Sequence, residues 1–256
     1  MTFLVTPTHD GSSTLLHPDL DEHYHSTHGA ISEALHVFIQ HGLLEFISLA
    51  PHLDRPLCLF EMGFGSGLNA WLTRLIAAHY NLSIRYICVD TTPLDIALVK
   101  KLDYPATFSR RLLSSPQVLA QFPFLTDLSS KISETTFHDL HDAPWDERIP
   151  LDASFSITKY HYSLDNFLSM NSGSSCFDLV YFDAFSPRKQ PELWSPEVFC
   201  SLASFMAAPS ILVSYCAQSA FKRALSSCGF SVSALPGPPG KREMTRAVLK
   251  NYAAFS

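Results

Sequence analysis

Three glycines at alternate positions are the residues of this chain whose spacing most directly indicates chemistry. Gly63, Gly65 and Gly67 follow the apolar run 57–60 and the acid Glu61. Because glycine has no Cβ, its backbone adopts positive φ angles and approaches a ligand closely at the start of a helix. The spacing is not the G-x-G-x-x-G of a dinucleotide fingerprint. It predicts a strand, a tight turn and a helix that hold a ribose or an amino-acid carboxylate, although a surface turn without a ligand has the same composition.

A second acid follows the next predicted strand. Residues 83–89 are mostly β-branched or aromatic, as in a buried strand, and Asp90 comes directly after them. In nucleotide-binding βαβ units an acid at this point accepts hydrogen bonds from ribose hydroxyls. Asp90 also suits an N-cap, because Pro93 can open a helix. The two roles are compatible.

The third acid of interest is Asp183, which ends the predicted strand 177–182 and begins a loop with Phe185 and Pro187. In doubly wound sheets the C-terminal ends of the strands line the ligand crevice. Asp183 would attract a cationic amine there and orient its lone pair. Because an ordinary carboxylate, with a pKa of about 4, is a weak base toward an ammonium ion, we expect mainly positioning and charge stabilisation. A loop cap or an ion pair with Arg188 is the alternative.

The elements that must position these acids alternate between strand and helix, which predicts an α/β fold with a mainly parallel sheet. Strands are expected near 57–62, 84–89, 155–161, 177–182 and 210–215, with a terminal antiparallel hairpin at 230–235 and 244–250. Helices are expected at 67–79, 195–207 and 218–228. Residues 1–50 are predicted to be a lead-in with helices packed on the core, and 51–256 the main domain, with a helical insertion near 104–150.

Composition limits the class of protein. The chain has 256 residues, of which 46% are hydrophobic, and its mean hydropathy is +0.09, enough for one large core. No apolar run reaches the roughly 18 residues of a membrane span, and the N-terminus has no signal-peptide pattern. These features favour a cytoplasmic protein that does not contact a membrane.

Cysteines and histidines form no metal-binding pattern. Six cysteines occur mostly in apolar contexts without a C-x-x-C pair, which predicts buried, reduced thiols: they are Cys58, Cys88, Cys176, Cys200, Cys216 and Cys228. Four histidines crowd the N-terminal segment, namely His17, His23, His25 and His28. No cysteine or acid completes a zinc spacing around them, so we expect no metal.

The charge is unevenly distributed. The net charge is −6, yet residues 181–256 carry about +4 and residues 1–180 about −10. A basic C-terminal part on an acidic protein is typical of a localised phosphate-contacting surface. A solvated basic face without a partner is the alternative.

Four segments together resemble the MnmC-like methyltransferases. They are Glu61–Asn69, similar to the family's GFGxGLN turn; Asp183–Trp194, similar to its DxFxPxxxPxxW loop; Gly237–Met244, similar to its GxGxKREM segment; and Tyr24–Glu33, similar to its N-terminal segment. The acid-x-G-x-G-x-G pattern also resembles the first motif of class I S-adenosyl-L-methionine methyltransferases. The match runs in order along nearly the whole chain.

This resemblance implies a class I, Rossmann-like fold, S-adenosyl-L-methionine as cofactor and tRNA as partner. The implied reaction methylates the aminomethyl group of 5-aminomethyl-(2-thio)uridine at the wobble position. The donor would be bound by Glu61, Gly63, Gly65, Gly67, Asn69 and Asp90, with Ser163 as a further candidate because Tyr162-Ser163 replaces the family's Gly-Asp near the adenine. Asp183 would be the catalytic carboxylate. Phe185 and Pro187 would shape the base pocket, and Arg188, Lys189, Lys241, Arg242 and Arg246 would contact tRNA.

Many members of the family carry a fused flavin-dependent oxidase, which removes a carboxymethyl group from the modified base and so exposes its aminomethyl group. Since this sequence ends at Ser256, we expect another enzyme to supply the aminomethyl group. Two other functions remain open at this point. One is a methyltransferase or aminopropyltransferase-like enzyme acting on a small amine, and the other is a non-catalytic RNA-binding module. A measurement of donor binding would distinguish the non-catalytic module from an enzyme.

Overall fold

An eight-stranded sheet forms the centre of the fold in a computed structural model, which describes residues 3–51, 53–126, 128, 134–170 and 177–250. The strands, in chain order, are β4 (Leu57–Met62), β5 (Ile84–Val89), β6 (Arg148–Pro150), β7 (Phe155–Tyr160), β8 (Phe177–Phe182), β9 (Met206–Ser214), β10 (Ser231–Pro236) and β11 (Glu243–Leu249). Their spatial order is β10-β11-β9-β8-β4-β5-β7-β6. The five strands from β9 to β7 are parallel, and β10, β11 and β6 are antiparallel to their neighbours. The predicted α/β class and terminal hairpin are confirmed.

Helices cover both faces of this sheet, so the central strands are buried on both sides. Every residue of β4 and β8 is buried, which explains why these strands are continuous apolar runs without alternation. The helices are α1 (residues 30–49, with π-helical Leu35–Leu44 at its centre), α2 (Leu68–Tyr80), α3 (Ile96–Val99), α4 (Tyr104–Thr107, continued by Phe108–Leu112), α5 (Pro116–Gln121), α6 (Glu134–Asp142), α7 (Leu164–Met170), α8 (Pro196–Ser204) and α9 (Ser219–Ser227). Among the described residues, no helix is long and apolar enough to cross a bilayer.

The register of the three central strands brings their C-terminal ends to one edge. Met62 pairs with Val89 of β5 and with Phe182 of β8. The ladder continues one residue further, since Gly63 N donates to Val89 O (3.0 Å) and Asp183 N donates to Met62 O (3.2 Å). The glycine turn, Asp90 and Asp183 therefore emerge side by side.

The N-terminal lead-in differs from the predicted one. A three-stranded antiparallel sheet precedes α1, made of β1 (Leu4–Pro7), β2 (Ser13–His17) and β3 (Glu22–His23). These strands are short and carry no clear alternation of apolar and polar residues, so their pattern gives little signal. The edge strand β6 was missed for the same reason, because it has only three residues. The division of the chain near residue 50 stays a prediction.

One cysteine prediction is wrong. Cys200 in α8 and Cys228 after α9 form a disulfide with a Cα–Cα distance of 4.8 Å. The two helices pack side by side and bring together thiols that are 28 residues apart in the sequence, a separation that matches no local motif. Cys58, Cys88 and Cys216 are free and buried, as expected, and Cys176 lies outside the described residues.

We expect Asp178→Ala to lower the free energy of unfolding by about 2–4 kcal/mol, because it removes a buried carboxylate that accepts three hydrogen bonds. The Asp178 carboxylate accepts two hydrogen bonds from Arg55 (both 2.7 Å) and one from Cys58 N (2.8 Å). Urea denaturation checks this value. Asp103→Ala is the matched control, since its pair with Arg110 is exposed on both sides and should contribute less than about 1 kcal/mol. Equal losses in the two variants would contradict the prediction.

Candidate active site

All three glycines of the turn after β4 have positive φ angles. The values are 87° at Gly63, 50° at Gly65 and 73° at Gly67, after which α2 begins at Leu68. Side chains rarely tolerate this region of backbone space. The turn is stabilised from the neighbouring strand, because Gly65 N donates to Asp90 Oδ2 at 2.8 Å. The predicted strand, turn and helix are therefore present, and the backbone of the turn is open to close approach.

A cavity of about 320 Å³ lies over this turn, at the C-terminal edge of the sheet. It brings together seven of the residues that the sequence singles out: Gly63, Gly65, Asn69, Asp90, Asp183, Phe185 and Lys241. Glu61 lies buried beside it, with 1% of its surface exposed. These seven candidates, from the donor side and the acceptor side, thus face one cavity.

Asn69, in the first turn of α2, connects the two groups of acids. Its Nδ2 donates to Glu61 Oε1 at 2.9 Å and to Asp183 Oδ2 at 2.8 Å. Tyr86 in β5 completes the arrangement by donating to Glu61 Oε2 at 2.7 Å. The amide oxygen of Asn69 is buried and has no hydrogen-bond partner among the described residues. An unpaired buried acceptor of this kind is expensive unless a ligand supplies a donor.

The environment of Glu61 favours a cationic ligand. Burial raises the pKa of its carboxyl well above the ordinary value, and the nearby Asp183 and Asp90 raise it further, against the hydrogen bonds from Tyr86 and Asn69. A positive charge brought into the cavity would reverse this penalty. The ammonium or sulfonium group of a bound ligand would supply such a charge.

Asp183 is a stronger base than its residue type predicts. Burial raises its pKa to about 7, with a further contribution from Glu33, while the hydrogen bond from Asn69 and the charge of Lys241 act in the opposite direction. The sequence-based expectation of a pKa of about 4 is therefore corrected. A carboxylate with a pKa near neutrality is suited to general base catalysis at physiological pH.

The N-cap role suggested for Asp90 is wrong, because the next helix begins at Ile96 and is capped by Asp95, whereas the role of Asp90 toward a ribose stays a prediction. One oxygen accepts from Gly65 N and the other from Thr92 N, each at 2.8 Å. Burial raises its pKa despite these hydrogen bonds. The carboxylate both orders the loop after β5 and lines the cavity.

The N-terminal segment forms a wall of the cavity that sequence reasoning missed. His17, Tyr24, His25 and Glu33 line it. Phe185 packs against this wall, with ring centroids 5.1 Å from Tyr24 and 5.5 Å from His17. The signals in the sequence were the crowding of histidines and the resemblance of Tyr24–Glu33 to the N-terminal segment of the MnmC-like methyltransferases, neither of which indicated a cavity wall. Within the described part of the chain, no cluster of histidine, cysteine or acidic side chains is arranged to hold a metal ion.

The loop after β8 is fixed at both ends. Ser186 donates through its backbone N (3.1 Å) and its hydroxyl (2.7 Å) to the two carboxylate oxygens of Glu22. Trp194 donates from Nε1 to Phe185 O at 2.9 Å. Pro187 lines a second, open cavity of about 490 Å³ that shares Tyr215 and Lys241 with the first. The base-pocket candidates Phe185 and Pro187 therefore face two adjoining cavities.

The basic candidates divide into three groups. Arg188, Lys189 and Arg242 are exposed. Lys241 is partly buried, with 32% of its side chain exposed, and is paired with Glu33 Oε1 at 2.5 Å and placed 4.0 Å over the ring of Tyr215. Arg246 lies on another part of the surface, paired with Glu45 at 2.9 Å.

Ser163 is also apart from the cavity lining. It caps α7, where Asn166 N donates to its Oγ at 3.3 Å. Its assignment to the donor site, like those of the other candidates, stays a prediction.

The parallel sheet, the positive-φ glycine turn and the acids at the ends of β4 and β5 give the chain the fold of the class I S-adenosyl-L-methionine-dependent methyltransferases. Residues 152–250 match a family model described as S-adenosyl-L-methionine-dependent methyltransferase.

The relatives make the resemblance to the MnmC-like methyltransferases explicit, and they confirm it. The chain is 25% identical over 234 residues to the tRNA 5-methylaminomethyl-2-thiouridine biosynthesis bifunctional protein MnmC of Leptospira borgpetersenii, covering 91% of this chain and 33% of that protein. It is 28% identical over 253 residues to the protein of the same name from Ralstonia nicotianae, covering 97% and 35%. The chain thus spans about a third of the length of these relatives.

A solved structure supports the same fold. The crystal structure of MNMC2 from Aquifex aeolicus superposes with a TM-score of 0.72 at 23% identity, covering 97% of this chain and 71% of that one.

Proposed function

We propose that this chain methylates the exocyclic amine of 5-aminomethyl-uridine, or of its 2-thio form, at the wobble position of tRNA. The observation that carries the proposal is the Asn69 bridge between Glu61 and Asp183. It joins the donor-side acid to the acceptor-side acid at one cavity. The similarity to proteins named for tRNA 5-methylaminomethyl-2-thiouridine biosynthesis supports the choice of acceptor.

The residues of the cavity fit S-adenosyl-L-methionine, which supplies an electrophilic methyl group when it is bound. The positive-φ glycines let the backbone itself line the cavity at Gly63 and Gly65, where an added Cβ would lie 3.1 Å from Asp183 O and 3.0 Å from Tyr24 Cδ1. The unpaired amide oxygen of Asn69 would accept a hydrogen bond from an ammonium group. Glu61 would provide negative charge, and Asp90 would accept hydrogen bonds from ribose hydroxyls. Gly67 would shape the turn without lining the cavity.

Asp183 would prepare the acceptor amine. With a pKa of about 7, a substantial fraction of its carboxyl groups is ionised at neutral pH. The ionised group would attract the ammonium of the aminomethyl substituent and take up one proton. The nitrogen lone pair would then be free to form the new N–C bond as the methyl–sulfur bond breaks, with S-adenosylhomocysteine as the leaving group. Asn69 holds the carboxylate oxygen in place for this transfer. The methylated nitrogen keeps its two remaining protons as a secondary ammonium, and Asp183 would return its proton to solvent before the next turnover.

The exposed basic residues would position tRNA by its phosphates. Arg188 and Lys189 follow Pro187, and Arg242 lines the same open cavity as Pro187. Phosphate contacts of this kind fix orientation and make binding dependent on salt. Lys241 would contribute only if its pair with Glu33 opened, and Arg246 would extend the surface beyond this rim.

We expect the triple variant R188A/K189A/R242A to weaken tRNA binding and to reduce the slope of log K against log salt by about two to three units. Filter binding over a range of salt concentrations measures both quantities. Binding of S-adenosylhomocysteine should stay within about threefold of wild type, because none of the three residues lines the donor cavity. The control R110A/K100A/K101A removes three exposed basic charges elsewhere on the chain. An equal loss of slope in the control would contradict a localised surface.

The function itself is tested by transfer of labelled methyl to tRNA that carries 5-aminomethyl-uridine at the wobble position, followed by nucleoside analysis. The expected product is 5-methylaminomethyl-uridine. The same tRNA with an unmodified wobble uridine is the control and should accept no label. Donor binding without transfer to the first tRNA would overturn the proposal and direct attention to small amines.

The comparisons favour neither a small-amine enzyme nor a non-catalytic RNA-binding module. We further propose that a separate activity supplies the aminomethyl group and that the reaction takes place in the cytoplasm.

A further inference from the structure

Ser66, between Gly65 and Gly67, contacts two histidines from different parts of the chain. Its backbone carbonyl lies 3.0 Å from His141 Nε2, and its hydroxyl lies 2.7 Å from His25 Nε2. Ser66 itself is only 1% exposed. The central residue of the glycine turn is therefore held on its main chain from one side and on its side chain from the other.

His141 is placed by a buried structural unit. Its ring occupies the space beside Gly67, where an added Cβ would lie 2.6 Å from His141 Nε2. Lys159, 1% exposed, donates from Nζ to His141 O at 2.9 Å. The same ammonium lies 5.2 Å from the ring centroid of Phe64 and 5.0 Å from that of Trp145. A buried cation surrounded by aromatic rings thus fixes the C-terminal end of α6 against the turn.

His25 is fixed equally well from the N-terminal wall. Its backbone N donates to Thr14 Oγ1 at 2.9 Å, and Thr14 Oγ1 in turn donates to His25 O at 3.1 Å. Burial lowers the pKa of His25 to about 4 and that of His141 to about 3. Both rings are therefore neutral at physiological pH, and a neutral His141 with its proton on Nε2 donates to the Ser66 carbonyl.

We propose that His25 and His141 are positioning residues for the methyl donor. They clamp Ser66 and so hold the backbone of the glycine turn in its binding conformation before the ligand arrives. A loop ordered in advance does not lose that conformational freedom on binding, which strengthens affinity. The inference rests on donor binding and is independent of the identity of the methyl acceptor.

The test is isothermal titration calorimetry with S-adenosylhomocysteine, performed well below the melting temperature of each variant. His141→Leu and His25→Leu are each expected to weaken binding about tenfold, the scale of one hydrogen bond. His141→Gln restores a donor and should bind within about threefold of wild type. His138→Leu, on the same helix but without a contact to Ser66 among the described contacts, is the control and should bind as wild type does.

Double variants separate the two contacts. Ser66→Ala removes the hydroxyl partner of His25 and keeps the carbonyl partner of His141. Its effect should therefore not add to that of His25→Leu but should add to that of His141→Leu. Wild-type affinity in His141→Leu and His25→Leu, with only a lower melting temperature, would overturn the proposal. Equal weakening by His138→Leu or by His141→Gln would do the same, and Ser66→Ala tests the clamp even if a leucine variant does not fold.

Discussion

Replacing Asp183 by asparagine is expected to reduce the single-turnover rate of methyl transfer by about 10²- to 10⁴-fold, the range typical of a lost general base. Asparagine has nearly the same shape, and its amide oxygen can still accept the hydrogen bond that Asn69 donates to Asp183 at 2.8 Å. What it lacks is the charge that attracts an ammonium ion and the ability to take up a proton. The loss should therefore appear in the chemical step.

Binding measurements distinguish this effect from damage to the donor site. S-adenosylhomocysteine should bind Asp183→Asn within about threefold of wild type, because the Glu61 and Asp90 contacts remain in place. Asp165→Asn, at an exposed position of α7, is the control and should transfer methyl at the wild-type rate. A rate for Asp183→Asn within tenfold of wild type would show that another group accepts the proton.

The parts of the fold that the sequence predicts best are those in which local pattern and burial agree. Strands β4, β5 and β8 lie at the residues expected, because both faces of a central parallel strand must be apolar. The glycine turn and the acids Asp90 and Asp183 follow from these strands, since each acid comes directly after a strand end. The order of strands and acids along the chain is therefore enough to predict that the glycine turn, Asp90 and Asp183 line one edge of the sheet.

The cavity walls depend on contacts that local pattern does not encode. Tyr24 and His25 reach the glycine turn only because the β1–β3 sheet folds back over it. The Lys241–Glu33 pair joins residues that are 208 positions apart, so a lysine in a basic segment proved to be partly buried in an ion pair. The pKa of Asp183 likewise depends on burial and on two distant charges. Sequence reasoning finds the acids, but the tertiary structure determines their basicity.

The pH dependence of methyl transfer should follow the ionisation of Asp183. Because its pKa is raised to about 7, the active carboxylate form is lost as the pH falls through neutrality, and the rate should decrease about tenfold per unit below about pH 6. His25 and His141 titrate near 4 and 3, below this range. Lys159, with a pKa lowered to about 8 by burial, would act only on the alkaline side. Values of kcat/KM between pH 5.5 and 9, which report the ionisation of the free enzyme, measure the profile.

The charges around Asp183 predict the direction in which substitutions move this profile. Glu33 raises the pKa of Asp183, and Lys241 lowers it. The acidic limb of the profile is the range in which the rate falls as the pH decreases. Glu33→Gln should therefore shift this limb to lower pH, and Lys241→Met should shift it to higher pH. Glu192→Gln, at an exposed position in the loop after β8, should leave the limb unchanged. The residual rate of Asp183→Asn should not show the decrease at low pH that protonation of Asp183 causes. If the decrease persisted in this variant at the same pH, it would be due to protonation of the acceptor amine. Opposite shifts in the two charge variants, together with a missing limb in Asp183→Asn, would identify Asp183 as the group whose proton controls the reaction.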